Sequence, residues 1–416
     1  MFKSICVVGL GYIGLPTAAM FASKEINVIG VDIDSKIIET INSGKIHIIE
    51  KNLESLVSST VKKGLLIAKE KPQEADAFII AVPTPFKLDQ NQEPKPDISF
   101  VKEAAKSVAP FLKKNSLVII ESTSPVGTTE KIYDYFGQLR PDLFDDKNLA
   151  EFNLAYCPER VLPGNILEEL TTNSRVVGGI TNECTKKAKN LYETFVMGDI
   201  VLTNSRTAEM VKLTENASRD NQIAFANELS LLCDNYGINV WELIAIANKH
   251  PRVNILQPGP GVGGHCIAVD PWFLISGDKE NTKLIRKARE VNDRKPFWVL
   301  KKIEAELSNL VASGMDLDSI KISFFGLTFK ANIDDYRESP SIKIIEKFLE
   351  TKNKNIYLVE PNLEDSPFES LSLISTDRGV TESDILVFLV DHNEFKNLKI
   401  PKNKIVVDTK GVLEDV

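Results

Sequence analysis

At 416 residues the chain is long for one domain and predicts two or three. Its 43% hydrophobic and 26% charged content is globular, and its net charge of −8 argues against broad nucleic-acid or anionic-membrane binding while leaving room for an anionic ligand held by local cations. Five cysteines, an odd number without a CxxC pair, fit a reducing compartment; no metal site is expected, and no run of eighteen apolar residues offers a membrane span, so the cytoplasm is the expected location.

The start, MFKSICVVGL followed by TAAMFASK, has the cationic opening of a signal peptide, but its glycines and Pro16 fit strand, turn and helix better. Residues 5–8, 28–31, 78–82 and 117–121 read as buried parallel strands, and 98–112 has helical spacing. That alternation predicts a doubly wound α/β sheet. Residues 89–96 read as a polar loop. From residue 206 to 236 neither Gly nor Pro occurs, and Ile223, Ala226, Leu229 and Cys233 recur near helical spacing, which predicts one long helix stopped by Gly237. After residue 317, KISFFGLTFK, SIKIIEKFLE and NIYLVEPN repeat the plan of the start: strand, Gly-Leu turn, helix, and a second strand ending in an acid, Asp32 and then Glu360. The expected fold is α/β: two Rossmann-like doubly wound domains, 1–200 and 309–416, joined by a helical central domain at 201–308.

Gly9-Leu10-Gly11-Tyr12-Ile13-Gly14 follows a strand and opens a helix, and Asp32 lies eighteen residues past Gly14. The glycines permit a tight turn and close approach of a diphosphate, and the helix N-terminus offers it unpaired amides. A carboxylate at Asp32 accepts from ribose hydroxyls and repels a 2′-phosphate, favouring NAD over NADP. Lys36 is placed to touch the adenosine side or simply to be solvated.

The segment QPGPGVGGHC packs four glycines and two prolines ahead of Cys266, an unusual backbone that brings main chain close to a ligand and then presents a thiol. A helix beginning there would favour the thiolate, with Asp270 one turn on. Cys6, Cys157, Cys184 and Cys233 read as buried apolar residues. Lys212, Asn216 and Arg219 share one face of the long helix, as a site or as a solvated stripe; Glu215 and Asp220 project off that face, apart from a Lys212–Glu215 pair that the spacing allows.

GLGYIGLP, AVPTP, ESTSPVGTTE, CPERVLPGN, AEMVKLTENASRD, HPRVNILQPGPGVGGHCIAVDPW and GLTFKANIDDYRESPS occur in the order found in the UDP-glucose/GDP-mannose dehydrogenase family, and VVDTKGV extends the match to residue 412. The chain resembles that family along nearly its whole length. The forms CPERVLPGN and HPRVNILQPGPGVGGHC are most like those of its UDP-N-acetyl-D-mannosamine branch.

The resemblance implies that Cys266 is a nucleophile and that Lys212 stabilises an oxyanion or relays a proton. It implies that Asn216 and Asp270 position water and the reacting oxygen, and that Glu159 assists thioester hydrolysis. Thr84, Thr123 and Arg337 fall on the cofactor side. Arg160, Val161, Lys212, Asn216, Arg219, Gly263, Phe329, Lys330 and Lys410 fall at nucleotide-sugar positions. Lys410 stands where some relatives carry arginine, which puts a bidentate phosphate contact in doubt. His250 and Arg252 match residues that reach the substrate, Arg252 from a neighbouring subunit.

The activity so implied is NAD-dependent, four-electron oxidation of a UDP-sugar C6 alcohol to the uronic acid, in a homodimer or higher oligomer formed through the central helices and serving polysaccharide biosynthesis. UDP-N-acetylmannosamine is the expected sugar, ahead of UDP-N-acetylglucosamine and then UDP-glucose. A two-electron β-hydroxyacid dehydrogenase has no use for the Cys266 loop or a second Rossmann-like domain. A non-catalytic NAD sensor leaves Lys212, Cys266 and Glu159 unexplained. The NADH formed per sugar (two, one or none) separates the three.

Overall fold

The computed structural model describes residues 2–90, 93–161, 164–264, 266–350 and 355–413. Leu162 and Pro163 of CPERVLPGN and His265 of the glycine-rich segment lie outside them. The chain divides into two compact units, Met1–Glu215 with Trp272–Gly277, and Asn216–Pro271 with Asp278–Val416.

The first unit holds β1 (Ser4–Val8), α1 (Gly14–Ser23), β2 (Asn27–Val31), α2 (Ser35–Asn42), α3 (Leu53–Lys62), β3 (Leu66–Lys69) and β4 (Ala77–Ile80). A small hairpin of β5 (Phe86–Leu88) and β6 (Pro94–Pro96) follows, then α4 (Ser99–Val108), β7 (Leu117–Ile120), α5 (Thr128–Leu139) and β8 (Asn153–Tyr156). The unit continues with α6 (Ile166–Thr172), β9 (Arg175–Gly179), α7 (Asn182–Tyr192) and β10 (Ile200–Asn204). Its eight-stranded sheet has the order β10-β9-β8-β7-β4-β1-β2-β3, parallel except between β8 and β9. The winding reverses between β1 and β4, the place where open α/β sheets bind ligands.

Alternate residues of the buried strands feed opposite faces. Ile5 and Val7 of β1 and Ala77 and Ile79 of β4 join one core; Cys6, Val8, Phe78 and Ile80 join the other. Both faces are therefore covered, which explains why these strands read as continuous apolar runs rather than alternating ones. Each fully buried Ile or Phe contributes roughly 1.5–3 kcal/mol. The expected loop at 89–96 is instead partly strand: β6 pairs antiparallel with β5. Pro94 and Pro96 tolerate this because a two-stranded ribbon has outer edges where a missing N–H breaks no ladder.

α8 (Ser205–Tyr236) begins in the first unit and continues into the second. It ends as the sequence predicts, with Gly237 at φ +65° and the Ile238 amide returning to the Cys233 carbonyl at 2.9 Å. α9 (Val240–Ala247), α10 (Asp270–Gly277) and α11 (Lys283–Ala312) follow. The α/β pattern then resumes with β11 (Ile322–Phe325), α12 (Pro340–Leu349), β12 (Ile356–Val359), α13 (Thr376–Glu382), β13 (Ile385–Phe388) and β14 (Ile405–Asp408). This second sheet is parallel, in the order β12-β11-β13-β14. Its strands also face two cores, Phe324 and Val387 on one side and Phe325 and Phe388 on the other.

Candidate functional site

In the first unit the predicted residues gather after the C-terminal ends of adjacent strands: Gly9 after β1, Asp32 after β2, Thr84 after β4, Thr123 after β7 and Glu159 after β8. Gly9 sits at φ +92°, and a Cβ there would lie 2.5 Å from the Ala81 carbonyl oxygen; one at Gly14 would lie 1.8 Å from the Gly9 oxygen. Only glycine closes this turn. A Cβ at Gly11, by contrast, would meet nothing within 4 Å, which leaves the mouth of the turn open for a diphosphate. Tyr12 packs against the core and Ile13 precedes α1. One Asp32 oxygen accepts from the Leu10 amide at 3.0 Å and the other from Asp34 at 3.0 Å, so the carboxylate is fixed yet half-exposed. Lys36 is exposed on α2, and fully solvated Ile33, 91% exposed, supplies an apolar surface next to Asp32. The residues present fit NAD.

Glu159 is 8% exposed and its carboxylate is gripped on both sides, by the Arg160 amide at 2.7 Å and by the guanidinium of buried Arg175. Arg175 also faces Glu121 at 3.5 Å and the Cys157 sulfur at 3.6 Å, and stacks 4.4 Å from the Tyr192 ring centroid. Tyr192 donates to Glu121 at 2.6 Å, and Thr17 of α1 donates to its other oxygen at 3.4 Å. Burial pushes the Glu121 carboxyl up to about 7, with Arg175 pulling the other way. Sequence reasoning missed Glu121, Arg175 and Tyr192 as neighbours of Glu159, although Glu121 lies within ESTSPVGTTE. Arg160 pairs with Glu215 at 2.7 Å, so the Glu215 carboxylate is taken by that arginine, not by Lys212. Val161 packs partly against the core. Buried Glu209 accepts from the Gly127 and Thr129 amides at 2.6 and 2.7 Å. It thereby ties the loop bearing Thr123 to α8, three residues before half-buried Lys212.

In the second unit Cys266 is exposed while Cys6, Cys157, Cys184 and Cys233 are buried, as expected. Burial pushes the thiols of Cys6 and Cys157 up to about 11. The Cys266 carbonyl accepts the Asp270 amide at 2.8 Å, so the thiol precedes α10 by one turn. Asp270 is buried and accepts from the Asn216 amide nitrogen at 2.5 Å. The glycine-rich segment is walled by the C-terminal Rossmann-like region. A Cβ on Gly263 would lie 2.5 Å from the Glu338 carbonyl oxygen and 3.0 Å from Phe329, and one on Gly259 would lie 3.4 Å from the Lys410 side chain. Lys410 also pairs with Asp391 at 3.2 Å.

Other carried-over residues are exposed or engaged locally. Lys330 and Arg219 are exposed, and Arg337 forms a two-pronged pair with Asp335 at 2.8 and 2.6 Å. His250 and Arg252 are exposed in the segment after α9. Asn248 bonds both the amide and the carbonyl of Ile255, at 2.7 and 2.9 Å, and so closes the loop that carries them. An asparagine at the end of a helix is the one local sign of that staple.

Comparison with known proteins extends over the whole chain. Residues 3–196 match the NAD binding domain of the UDP-glucose/GDP-mannose dehydrogenase family, 206–294 its central domain, and 323–415 its UDP binding domain. The chain is 53% identical to the UDP-N-acetyl-D-mannosamine dehydrogenase of Escherichia coli (strain K12), covering 99% of each. It is 50% identical to the NDP-N-acetyl-D-galactosaminuronic acid dehydrogenase of Ralstonia nicotianae, covering 99% of this chain and 96% of that one. Among solved structures it resembles the UDP-D-ManNAc dehydrogenase of Pyrococcus horikoshii, with a TM-score of 0.88 at 39% identity over 99% of this chain and 96% of that one.

Proposed function

Because the chain belongs to the UDP-glucose/GDP-mannose dehydrogenase family, and so is an NAD-dependent nucleotide-sugar dehydrogenase, we propose that it oxidises UDP-N-acetyl-D-mannosamine at C6 to the uronic acid, in two two-electron steps, through a Cys266 thioester. The carrying observation is the exposed Cys266 one turn ahead of a buried Asp270 that is bonded to Asn216.

NAD, when bound, would supply the hydride acceptor for each oxidation, and the Gly9–Gly14 turn would hold its diphosphate and Asp32 its ribose. The first oxidation gives an aldehyde, and the Cys266 sulfur adds to it to form a thiohemiacetal. The thiol adduct supplies the tetrahedral carbon, still bearing hydrogen, from which the second two-electron loss can come. Lys212 and Asn216, one helical turn apart on α8, supply donors to the oxygen of each tetrahedral species. Glu159 or Asp270 orients the water that cleaves the thioester. Replacing Cys266 with Ala is expected to cut formation of the uronic acid by more than about a thousandfold with NAD binding kept. Two NADH per sugar at the native rate from that variant would overturn the mechanism.

The sugar assignment rests on the relatives at 53% identity and on the stapled loop bearing His250 and Arg252. A site built to bond an N-acetyl group discriminates against a sugar lacking it, because polar groups that the bound sugar covers are left unpaired. His250→Ala should therefore cost kcat/KM on the N-acetylated sugar far more than on UDP-glucose; equal losses would mean it reads something shared. A second reading, an N-acetylated sugar of the galacto series, draws on the relative at 50% identity. A panel of the manno, gluco and galacto N-acetyl sugars with UDP-glucose, scored by NADH formed, decides among them.

We further propose a cytoplasmic homodimer formed through the central helices. Phe225, Leu232 and Tyr236 recur along one face of α8 at 53%, 49% and 76% exposure. The three-part functional division at 1–200, 201–308 and 309–416 follows the same reading. Sedimentation showing a monomer at micromolar concentration would remove the dimer.

A further inference from the structure

α8 and α11 share a connected set of polar side chains in their interior. Asp220, Asn227, Arg289 and Asn292 are each at most 1% exposed. Asn292 donates to the Asp220 carboxylate at 2.7 Å and to its carbonyl at 3.0 Å, and accepts from Asn227 at 2.9 Å. Arg289 donates to the same Asp220 oxygen and pairs with Asp293 at 2.7 Å. The other Asp220 oxygen has no hydrogen-bond partner among the described residues, and burial pushes that carboxyl up to about 6 against the pull of Arg289. Such a set is not an economical way to join two helices. Well-packed apolar side chains of similar volume are often as stable or more so.

Two members reach out of the helices to main chain. Asn227, whose nitrogen is used on Asn292, turns its oxygen to the Gly259 amide at 2.9 Å. Arg289 reaches the Ile267 carbonyl at 3.4 Å. Gly259 and Ile267 bracket the glycine-rich loop, and Cys266 lies directly before the second anchor. A loop so rich in glycine has large conformational freedom to lose, and tying both ends removes much of it before any substrate arrives.

We propose that Asp220, Asn227, Arg289 and Asn292 are positioning residues that fix both ends of the Cys266 loop and so set the thiol for addition to the aldehyde. The inference rests on the reading of Cys266 as nucleophile. It makes the aldehyde-to-acid step depend on this network while the alcohol-to-aldehyde step, which needs no thiol, does not. A misplacement of about 1 Å at a reacting atom is enough to cost on the order of a hundredfold.

The test uses the full-length enzyme with NAD, supplied separately with the nucleotide-sugar alcohol, in single turnover to the first NADH, and with the corresponding aldehyde. Asn227→Leu keeps the volume and removes both bonds. The expected result is a ten- to hundredfold fall in kcat for the aldehyde, with KM for NAD and the first-NADH rate within about threefold of native. Asn227→Asp, which keeps an acceptor for Gly259, should recover part of the loss. If Asn227→Leu fails to fold, Arg289→Lys replaces it, since a lysine can keep Asp220 company but cannot also span to Ile267 and Asp293. Native aldehyde turnover in the variant that folds, or equal losses in both steps, overturns the proposal. Cys266→Ser separates the two readings. If it still makes two NADH, the nucleophile is wrong; if it stops at one while Asn227→Leu runs at the native rate, only the positioning role is wrong.

Discussion

Gly9 and Gly326 adopt the same φ of +92°, each at the end of a buried parallel strand and each beside a second strand that ends in an acid. In both turns that acid accepts the amide of the residue after the glycine: Leu10 to Asp32 at 3.0 Å, Leu327 to Glu360 at 2.7 Å. There the likeness stops. Asp32 keeps a half-exposed carboxylate beside an open Gly11. Glu360 is 4% exposed, and its remaining acceptor sites are taken by the Asn362 amide at 2.9 Å and the imidazole of wholly buried His392 at 3.0 Å. The His392 Nδ1 accepts from the Asn332 amide at 3.0 Å, which assigns the proton to Nε2 and makes the imidazole the donor to Glu360. A strand, a glycine and an acid make a ribose site only when the acid's remaining lone pairs face outward. Filled from within, the same construction becomes a structural joint, with no lone pair left for a ribose.

Glu360→Ala leaves several buried donors without an acceptor, at a cost of roughly 1–3 kcal/mol each before relaxation. A loss of about 3 kcal/mol in unfolding free energy is expected from denaturant titration, with little change in KM for NAD. If the variant is as stable as the native protein, the joint is not structural. Asp32→Ala should do the reverse. It should weaken NAD by about 1.5–3 kcal/mol, ten- to hundredfold in kcat/KM, narrow the preference over NADP, and leave stability nearly unchanged. A native enzyme that uses NADP as readily as NAD would show that Asp32 does not meet the ribose.

The smallest effect is a difference in sign with pH. Burial opposes the Glu360 charge, but His392 and the Leu327 and Asn362 amides outweigh it and hold its pKa below the usual value of 4.5. Its contribution is present above pH 4.5 and is lost as the pH falls through the folded value. Glu121, raised from 4.5 to about 7 by burial, contributes below pH 4.5 and loses that contribution as the pH rises through about 7. The Tm difference, Glu121→Gln minus native, should therefore grow between pH 5 and pH 8, by on the order of 1 kcal/mol in stability. A flat difference would show that Arg175 keeps Glu121 ionised throughout.

Much of the fold was legible because burial on two faces leaves a plain mark: β1, β2, β4 and β7 read as apolar runs between turns. The Gly9 turn was legible because its chemistry is local, within twenty-four residues. The hairpin of β5 and β6 was not, since two prolines in a three-residue strand carry the signature of a loop. Nor were the buried polar networks. Glu121 and Arg175 stand 54 residues apart, Asp220 and Arg289 69, and single residues at such separations carry no periodicity to betray a contact. Cys266 was found through the glycines before it, whereas the side chains that hold those glycines lie on helices whose pattern says only that they are helices.

One exposed thiol among five has a practical meaning. Four thiols lie inside the protein, so a brief exposure of the native protein to a thiol reagent should take up one equivalent per chain, and unfolding in the same reagent should release the count of five. Under the proposed thioester mechanism that thiol doubles as an active-site titrant: the fraction of chains that react quickly would measure the fraction able to complete the reaction. The same mechanism predicts sensitivity to oxidation at that thiol. Mild peroxide should silence the enzyme at a single atom, and a small thiol should restore it until oxidation has passed the sulfenic stage.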